Sequence, residues 1–587
     1  GEENVGYNPS NASTATRTDT PLRDIPQSIQ VVPRQVIEDQ QAQDLQDVTR
    51  NVSGVFQGNN GGSSLDRFLI RGFQTGVFLR DGFRDDNFRV RETANLERVE
   101  VVKGPASVLY GTLEPGGIIN LVTKQPLEEP FYAASITGGS FSTFEPSIDF
   151  SGPLNAEETM FYRFNALYEN RDVFRDFDQG VERIFIAPTL TWRMSDRTDI
   201  TFILVYLDDL RPFDRGIVAF GDGIADIPFD RVLGEPDDVT KTEDLSIGYQ
   251  LEHRFSDSWR FRNDFRFNAF DQQLVFTDSR SLDEETGVLT RRFNNNLRDF
   301  ETYALQTDVV GEFATGSVEH TLLIGVDLFR EDEGIINRLT ENGGAPSINI
   351  FDPEYGATPP EGDELPLLAD TQTQTDMLGI YLQDQLKLSE QLQLLLGVRF
   401  DIVDQESDRS GDFRVGNSQQ QEEAFSPRVG IVYQPIEPLS LYASFAQSFV
   451  PNSSVDEDGN LLEPERGTQY EVGIKGDFLD GNLSATLAAF NIDKTNIAIA
   501  DPDLPGVSRP IGEQRSRGIE LDVRGEILPG WNIFASYAYT DAEITEDNAS
   551  EDEGNRLFGV PEHAASLWTP YEIQEGDLQG LGFGTGV

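Results

Sequence analysis

Residues 65–124 read LDRFLIRGFQTGVFLRDGFRDDNFRVRETANLERVEVVKGPASVLYGTLEPGGIINLVTK, and the punctuation of this stretch decides the fold. Short apolar runs alternate with glycine turns. Phe68-Leu69-Ile70 precedes Arg71-Gly72, and Val77-Phe78-Leu79 leads to Asp81-Gly82. Leu96–Val102 is apolar at alternate positions and runs into Lys103-Gly104-Pro105. Ala106–Tyr110 fits a short helical turn, after which Gly111, Gly116 and Gly117 break the chain before a strand over Ile118–Thr123. Glycine permits positive φ and proline fixes φ, so this spacing predicts a small, tightly turned α+β domain. Upstream, Pro33–Asn51 has helical spacing at Val36, Ile37, Leu45 and Val48. Residues 1–19 are small and polar and predict a flexible lead-in without a charged-then-apolar leader.

From about residue 131 the texture changes to long alternating runs. Leu245, Ile247, Tyr249 and Leu251 alternate with Asp244, Ser246, Gly248, Gln250 and Glu252. Trp259, Phe261, Phe265 and Phe267 alternate with Arg260, Arg262, Asp264 and Arg266, and Trp531, Ile533, Ala535, Tyr537 and Tyr539 repeat the pattern. One apolar and one charged face at period two suits a wall with lipid outside and water inside. A soluble sandwich shares the period, so strand length separates the two. Many runs reach about ten residues, beyond the usual ~5–6 and near the ~9–11 that a tilted strand needs to cross a bilayer. Short turns such as Ser256-Asp257 and Ser389-Glu390 alternate with long polar segments such as 211–242, 278–298 and 334–374. That asymmetry is the outer-membrane arrangement. About 18 strands are expected between 131 and 568.

Composition narrows the function. The 587 residues carry 46 Lys and Arg against 101 Asp and Glu, a formal net charge of -55. Nucleic acid is excluded as a partner, since nothing would neutralise its phosphates. With no cysteine there is no disulfide framework and no Cys-ligated metal, and the 3 histidines (His253, His320, His563) are scattered without ligand spacing. Neither a nucleophile motif nor a phosphate loop nor a metalloprotease motif is present, so the chain is not expected to be an enzyme. No run is long and apolar enough for a transmembrane helix, and the mean hydropathy of -0.39 carries no weight against a β-barrel.

The motifs IRGF (70–73), LRDGF (79–83), ERVEVVKGPASVLYG (97–111) and PGGIINLVTK (115–124) resemble the plug domain of TonB-dependent outer-membrane receptors. TPLRDIPQSIQVVP (20–33) is similar to the siderophore branch of that family, the ferrichrome- and pyoverdine-receptor type. The likeness covers essentially the whole chain. It implies a mostly β protein, a transmembrane antiparallel β-barrel with an N-terminal α+β plug in its lumen. The domains would then be a lead-in over 1–19, a plug over 20–126 and a barrel over 127–587. Family barrels have about 22 strands and end on an aromatic residue. This sequence stops at GLGFGTGV (580–587), so roughly the last three or four strands are expected to be missing from it.

The resemblance further implies a monomer in the outer membrane of a Gram-negative-type bacterium, surrounded by lipid. It would import a ferric siderophore with energy from TonB and its inner-membrane complex, with no covalent cofactor and no metal ligated by the protein. The TonB-contacting segment is not identifiable in residues 1–19. Other solutes of this family (cobalamin, haem, a glycan) are the alternative cargo, and a passive porin is the rival of a different class. Arg71 and Lys103 would pair with Glu471 in QYEVGIK and Glu520 in RGIELD to lock plug to barrel. A ligand would meet the plug apex, where Asn59, Gln74, Arg84 and Arg89 offer donors, and Phe83 and Phe88 offer flat aromatic surface. A ferric siderophore brings its own metal ligands, which agrees with a chain poor in His and Cys. Acidic loop residues such as Asp222, Asp226, Asp230, Glu546 and Asp547 lack calcium-loop spacing and read as solvated charge.

Overall fold

The computed structural model describes residues 6–587 except 76, 86–88, 361, 413–415, 453, 455–461, 501–507 and 548–551. The N-terminal domain is built on five strands, β1 (Ile29–Pro33), β2 (Phe78–Arg80), β3 (Phe83–Asp85), β4 (Leu96–Lys103) and β5 (Gly117–Thr123). Their spatial order is β1-β4-β5-β2-β3; the β5–β2 pair is parallel and the others are antiparallel. Alternation along β4 explains the two layers. Val99 and Val101 pack with Val32, Ile119 and Leu121 under the helices α1 (Arg34–Asp39) and α2 (Leu45–Thr49). Val102 faces the other way, with Val31, Ile118, Leu79 and the short helix α3 (Ser107–Tyr110).

The single helix expected over 33–51 is two. The break falls where Gln41 takes φ 49°, and Asp44 restarts the chain by accepting the Asp47 N–H at 2.8 Å. The lead-in also differs from its expected flexibility. Ala12, Thr14, Ala15, Thr16 and Arg17 are buried between β4 and the wall. Composition hid this because the segment is held by hydrogen bonds. The buried Glu100 carboxylate accepts Thr14 N–H at 2.9 Å and Thr14 Oγ1 at 2.6 Å.

Among the described residues the wall is one 20-stranded antiparallel sheet running from Phe131–Gly138 to Gly582–Gly586. Each strand pairs with the next, except that Ala345–Asn349 is a side strand on the outer end of Val288–Thr315. Among the described residues the first and last strands pair on one edge only. Period-two alternation sorts the two faces. On Ser508–Leu528, Ile519 is 48% exposed while Glu520, its neighbour, is 1% exposed. Strands such as Trp259–Asp283, of 25 residues, and Val288–Thr315, of 28, are far longer than the ~9–11 residues a bilayer needs. Their outer ends carry loops with an apolar cluster of their own, centred on Leu233, Leu289, Ile348 and Ile350. Within this, Arg291 Nη2 donates to Glu235 Oε1 at 2.6 Å.

The five-stranded domain sits inside the wall. Its side chains reach strands all round: Lys124 to Asp149 (3.0 Å), Glu92 to Arg183 (2.8 Å), Arg89 to Asp244 (2.5 Å), Asp81 to Arg266 (3.3 Å) and Arg17 to Asp327 (3.1 Å).

Candidate functional site: a buried charge set beneath an apical cavity

Two cations of the N-terminal domain and two glutamates of the wall, hundreds of positions away in sequence, meet in a fully buried cluster. Arg71 follows β-strand Phe68–Ile70 and takes φ 50°, with Gly72 at φ 89° behind it. This turn aims the guanidinium at the wall. Arg71 Nη1 donates to Glu471 Oε2 at 2.5 Å and to Gln469 Oε1 at 2.9 Å, and Nη2 donates to Glu520 Oε2 at 2.7 Å. Lys103, at the end of β4, lies with Nζ 3.4 Å from Glu520 Oε2 and 3.2 Å from Asp522 Oδ2, and donates to Ser53 Oγ at 2.5 Å. The second oxygen of Glu471 accepts Ser28 N–H at 2.7 Å and Tyr442 O–H at 2.6 Å. The Phe490 ring closes the cluster, 4.2 Å from the Arg71 guanidinium carbon.

Two cations face three carboxylates here, and each charged atom has a partner. Such a set is stable only when complete, because losing one member strands a charge out of reach of water. Gly54 has no side chain for a steric reason: a Cβ there would lie 2.2 Å from Glu520 Oε1. Sequence reading missed Asp522 and Gln469. Each stands two residues from a glutamate it did find, on the same strand face, so period-two alternation was the available signal.

The lead-in supplies a second buried cluster that sequence reading did not find. Arg17 Nη1 donates to Tyr381 O–H at 2.5 Å and to Asp327 Oδ1 at 3.1 Å, and Arg399 Nη1 donates to Asp327 Oδ2 at 2.6 Å. The carbonyls of the same segment accept from the wall: Ala15 O from Arg428 at 2.5 Å, Thr16 O from Gln383 at 2.9 Å and Arg17 O from Arg262 at 2.8 Å.

Above the first cluster lies a cavity of about 640 Å³. Its floor includes Gln57, Asn59, Gly72 and Gln74 of the domain apex, and its wall includes Lys494 and Phe558. Phe558 is 92% exposed, an aromatic face open to solvent. Lys494 is bridged by Glu114 at 2.8 Å and Glu465 at 2.6 Å. Amides, the aromatic rings of Phe73 and Phe558 and a neutralised ammonium suit recognition of a bulky polar molecule by hydrogen bonds and packing. The same hairpin serves both sites: Gly72 borders the cavity and Arg71, one residue earlier, enters the buried charge set.

The six apical candidates separate. Asn59 and Gln74 line this cavity. Phe83 is buried under the Arg266 guanidinium, 5.2 Å from its ring centre. Arg89 pairs with Asp244 at 2.5 Å and Asp85 at 3.3 Å, and Arg89, Arg91 and Arg80 together hold the Asp85 carboxyl well below the usual range. Arg84 donates to Thr112 O at 2.7 Å within the plug and lies over the Phe329 ring of the wall, 5.4 Å from its centre. These three side chains therefore serve the seam between domain and wall, and Phe88 lies outside the described residues.

Comparison with known proteins gives a consistent picture. The model of the TonB-dependent receptor plug domain matches residues 21–118, and that of the TonB dependent receptor-like β-barrel matches residues 191–587. The chain is 36% identical over 594 residues to the metal-pseudopaline receptor CntO of Pseudomonas aeruginosa, covering 99% of this chain and 83% of the relative. It is 31% identical to the ferrichrome outer membrane transporter/phage receptor of Escherichia coli K12, over 98% of this chain and 81% of the relative. Among solved structures, the siderophore receptor PiuA from Acinetobacter baumannii superposes with a TM-score of 0.86 at 25% identity, over 94% of this chain and 86% of that one.

Proposed function

Since this chain belongs to the TonB-dependent receptor family and lies in the outer membrane, we propose that it imports a metal chelate, a ferric siderophore foremost. The observation that carries the reading is the shared hairpin. Ligand seated in the apical cavity touches Gly72 and Gln74, and Arg71 beside them is the central cation of the plug–barrel lock. A shift of this hairpin by about an ångström changes every distance in a water-excluded charge set, where such distances matter most. Binding outside is thereby coupled to the seating of the plug. Force from TonB then has a loosened plug to act on, and the chelate passes inward without chemical change.

A second reading has its own support. The relative named as a metal-pseudopaline receptor is 36% identical over nearly the whole chain, so the metal need not be iron. A passive porin fits poorly, because a plug that fills the lumen and pairs with strands all round it obstructs free diffusion. Tryptophan fluorescence separates the cargo readings, with 4 Trp as reporters. Titration of the solubilised receptor with ferric hydroxamates, ferric catecholates, and nickel, cobalt and zinc aminocarboxylate chelates should saturate with one class at submicromolar concentration. Absence of a saturable response to all of them would overturn the proposal.

A further inference from the structure

Among the described residues, Arg67 is a cation at the apex without a partner. Other cations of plug and wall are held: Lys494 by Glu114 and Glu465, Arg91 by Asp85, Arg428 by the Ala15 carbonyl and Gln27. Arg67 is half-buried, and its Nε is sealed from solvent without a hydrogen-bond partner. Among the described residues its guanidinium has neither a hydrogen bond nor an ion pair, and burial alone acts on its pKa, pulling it below the usual guanidinium range. In a protein with a net charge of -55, an arginine with neither a carboxylate nor a carbonyl partner is conspicuous.

Its position relates it to the cavity. The Arg67 carbonyl accepts Gly58 N–H at 2.8 Å, which extends the hairpin ladder of Gln57 and Phe68 by one step. Side chains two apart in extended chain share a face. Leu69, two residues on, lines the 640 Å³ cavity, as does Gly58 opposite. The Arg67 stem lies alongside Gly58: a Cβ there would be in ordinary contact with Arg67 Cγ at 3.4 Å. A partly desolvated fork of N–H donors rooted beside Gly58, a residue that lines the cavity, matches a carboxylate in two-point geometry.

We propose that Arg67 anchors a free carboxylate on the outer surface of the transported chelate, and so selects chelates that carry one. This rests on the uptake reading above and adds to it the residue and the group that it recognises. Lys494 does not compete for the role, because Glu114 and Glu465 already neutralise it.

The test uses the ferric complex of a linear trishydroxamate ending in a free amine, and the same ligand succinylated to end in a carboxylate. Both are titrated against the solubilised receptor by tryptophan fluorescence. Wild type should bind the carboxylate form at least about tenfold more tightly. Arg67→Gln should erase that preference by weakening the carboxylate form, with the amine form changed less than about twofold. Arg67→Lys should keep part of it, which separates charge recognition from a folding defect. An unchanged ratio in Arg67→Gln, or a wild-type preference for the amine, overturns the assignment and leaves the uptake reading intact. Wild-type protein that binds neither complex counts against the uptake reading itself and takes this inference with it.

Discussion

At the residue scale the decisive quantity is charge out of reach of water. Glu520 touches both Arg71 and Lys103, so it is the member whose loss strands most. Glu520→Ala should destabilise plug seating by about 3–5 kcal/mol, the range for a broken buried pair. Urea titration monitored by proteolysis of the plug would show this as a lower midpoint with an unaltered barrel transition. Asp66 offers a pH test. It is half-buried beside Arg91, whose N–H it accepts at 2.8 Å, yet desolvation raises its pKa to about 6. The unfolded value is near 3.9, so between these values the folded plug holds a proton that the unfolded chain has released. Folding then favours low pH, and this contribution is lost as pH rises through about 6. Amide exchange over residues 60–95 should be slower at pH 5 than at pH 7.5, after correction for intrinsic rates. Asp66→Asn should narrow the difference.

At the element scale, the hairpin Phe68–Gln74 joins a ligand surface to the lock, and its neighbour Gly54 shows how closely plug and wall approach. Gly54 has φ 68°, and a Cβ would strike Glu520; Gly82 has φ 83° with open space around it. Replacing either by alanine costs the backbone term, roughly 1–2 kcal/mol. Gly54→Ala should cost clearly more than Gly82→Ala, the excess being displacement of the Glu520 carboxylate. Equal thermal shifts for the two variants would remove the steric argument. The helical stretch over 33–51 illustrates the limit of periodicity: spacing located the apolar face, while the left-handed Gln41 that divides it carries no compositional mark.

At the scale of the whole molecule, the plug is held by charge pairs to strands all round it and by two clusters, one at Arg71 and one at Arg17. Deletion of residues 20–126 should convert saturable, energy-dependent uptake into passive flux. Cells carrying that variant should take up small antibiotics that wild type excludes, and chelate uptake should lose its dependence on the proton gradient. If flux were the same with and without these residues, the plug would not be the gate. Much of this design was legible in the sequence. Period-two alternation, strand length and loop asymmetry specify a lipid-facing wall, because lipid outside and water inside impose a chemical difference on every successive residue. Glycine and proline spacing marks the plug, since positive φ restricts which residues can stand there. By itself, then, the sequence determined the wall, the plug and the cations and glutamates that the family motifs single out. What only the tertiary structure decided is which charges meet. Asp522 joining the lock, Arg17 closing a second cluster from a stretch that looked flexible, Arg89 turned to the wall and Arg67 left without a partner depend on contacts between residues up to hundreds of positions apart. Local pattern records the environment of a side chain but not the identity of its neighbour, because pairing energy arises only once the chain has folded the two together.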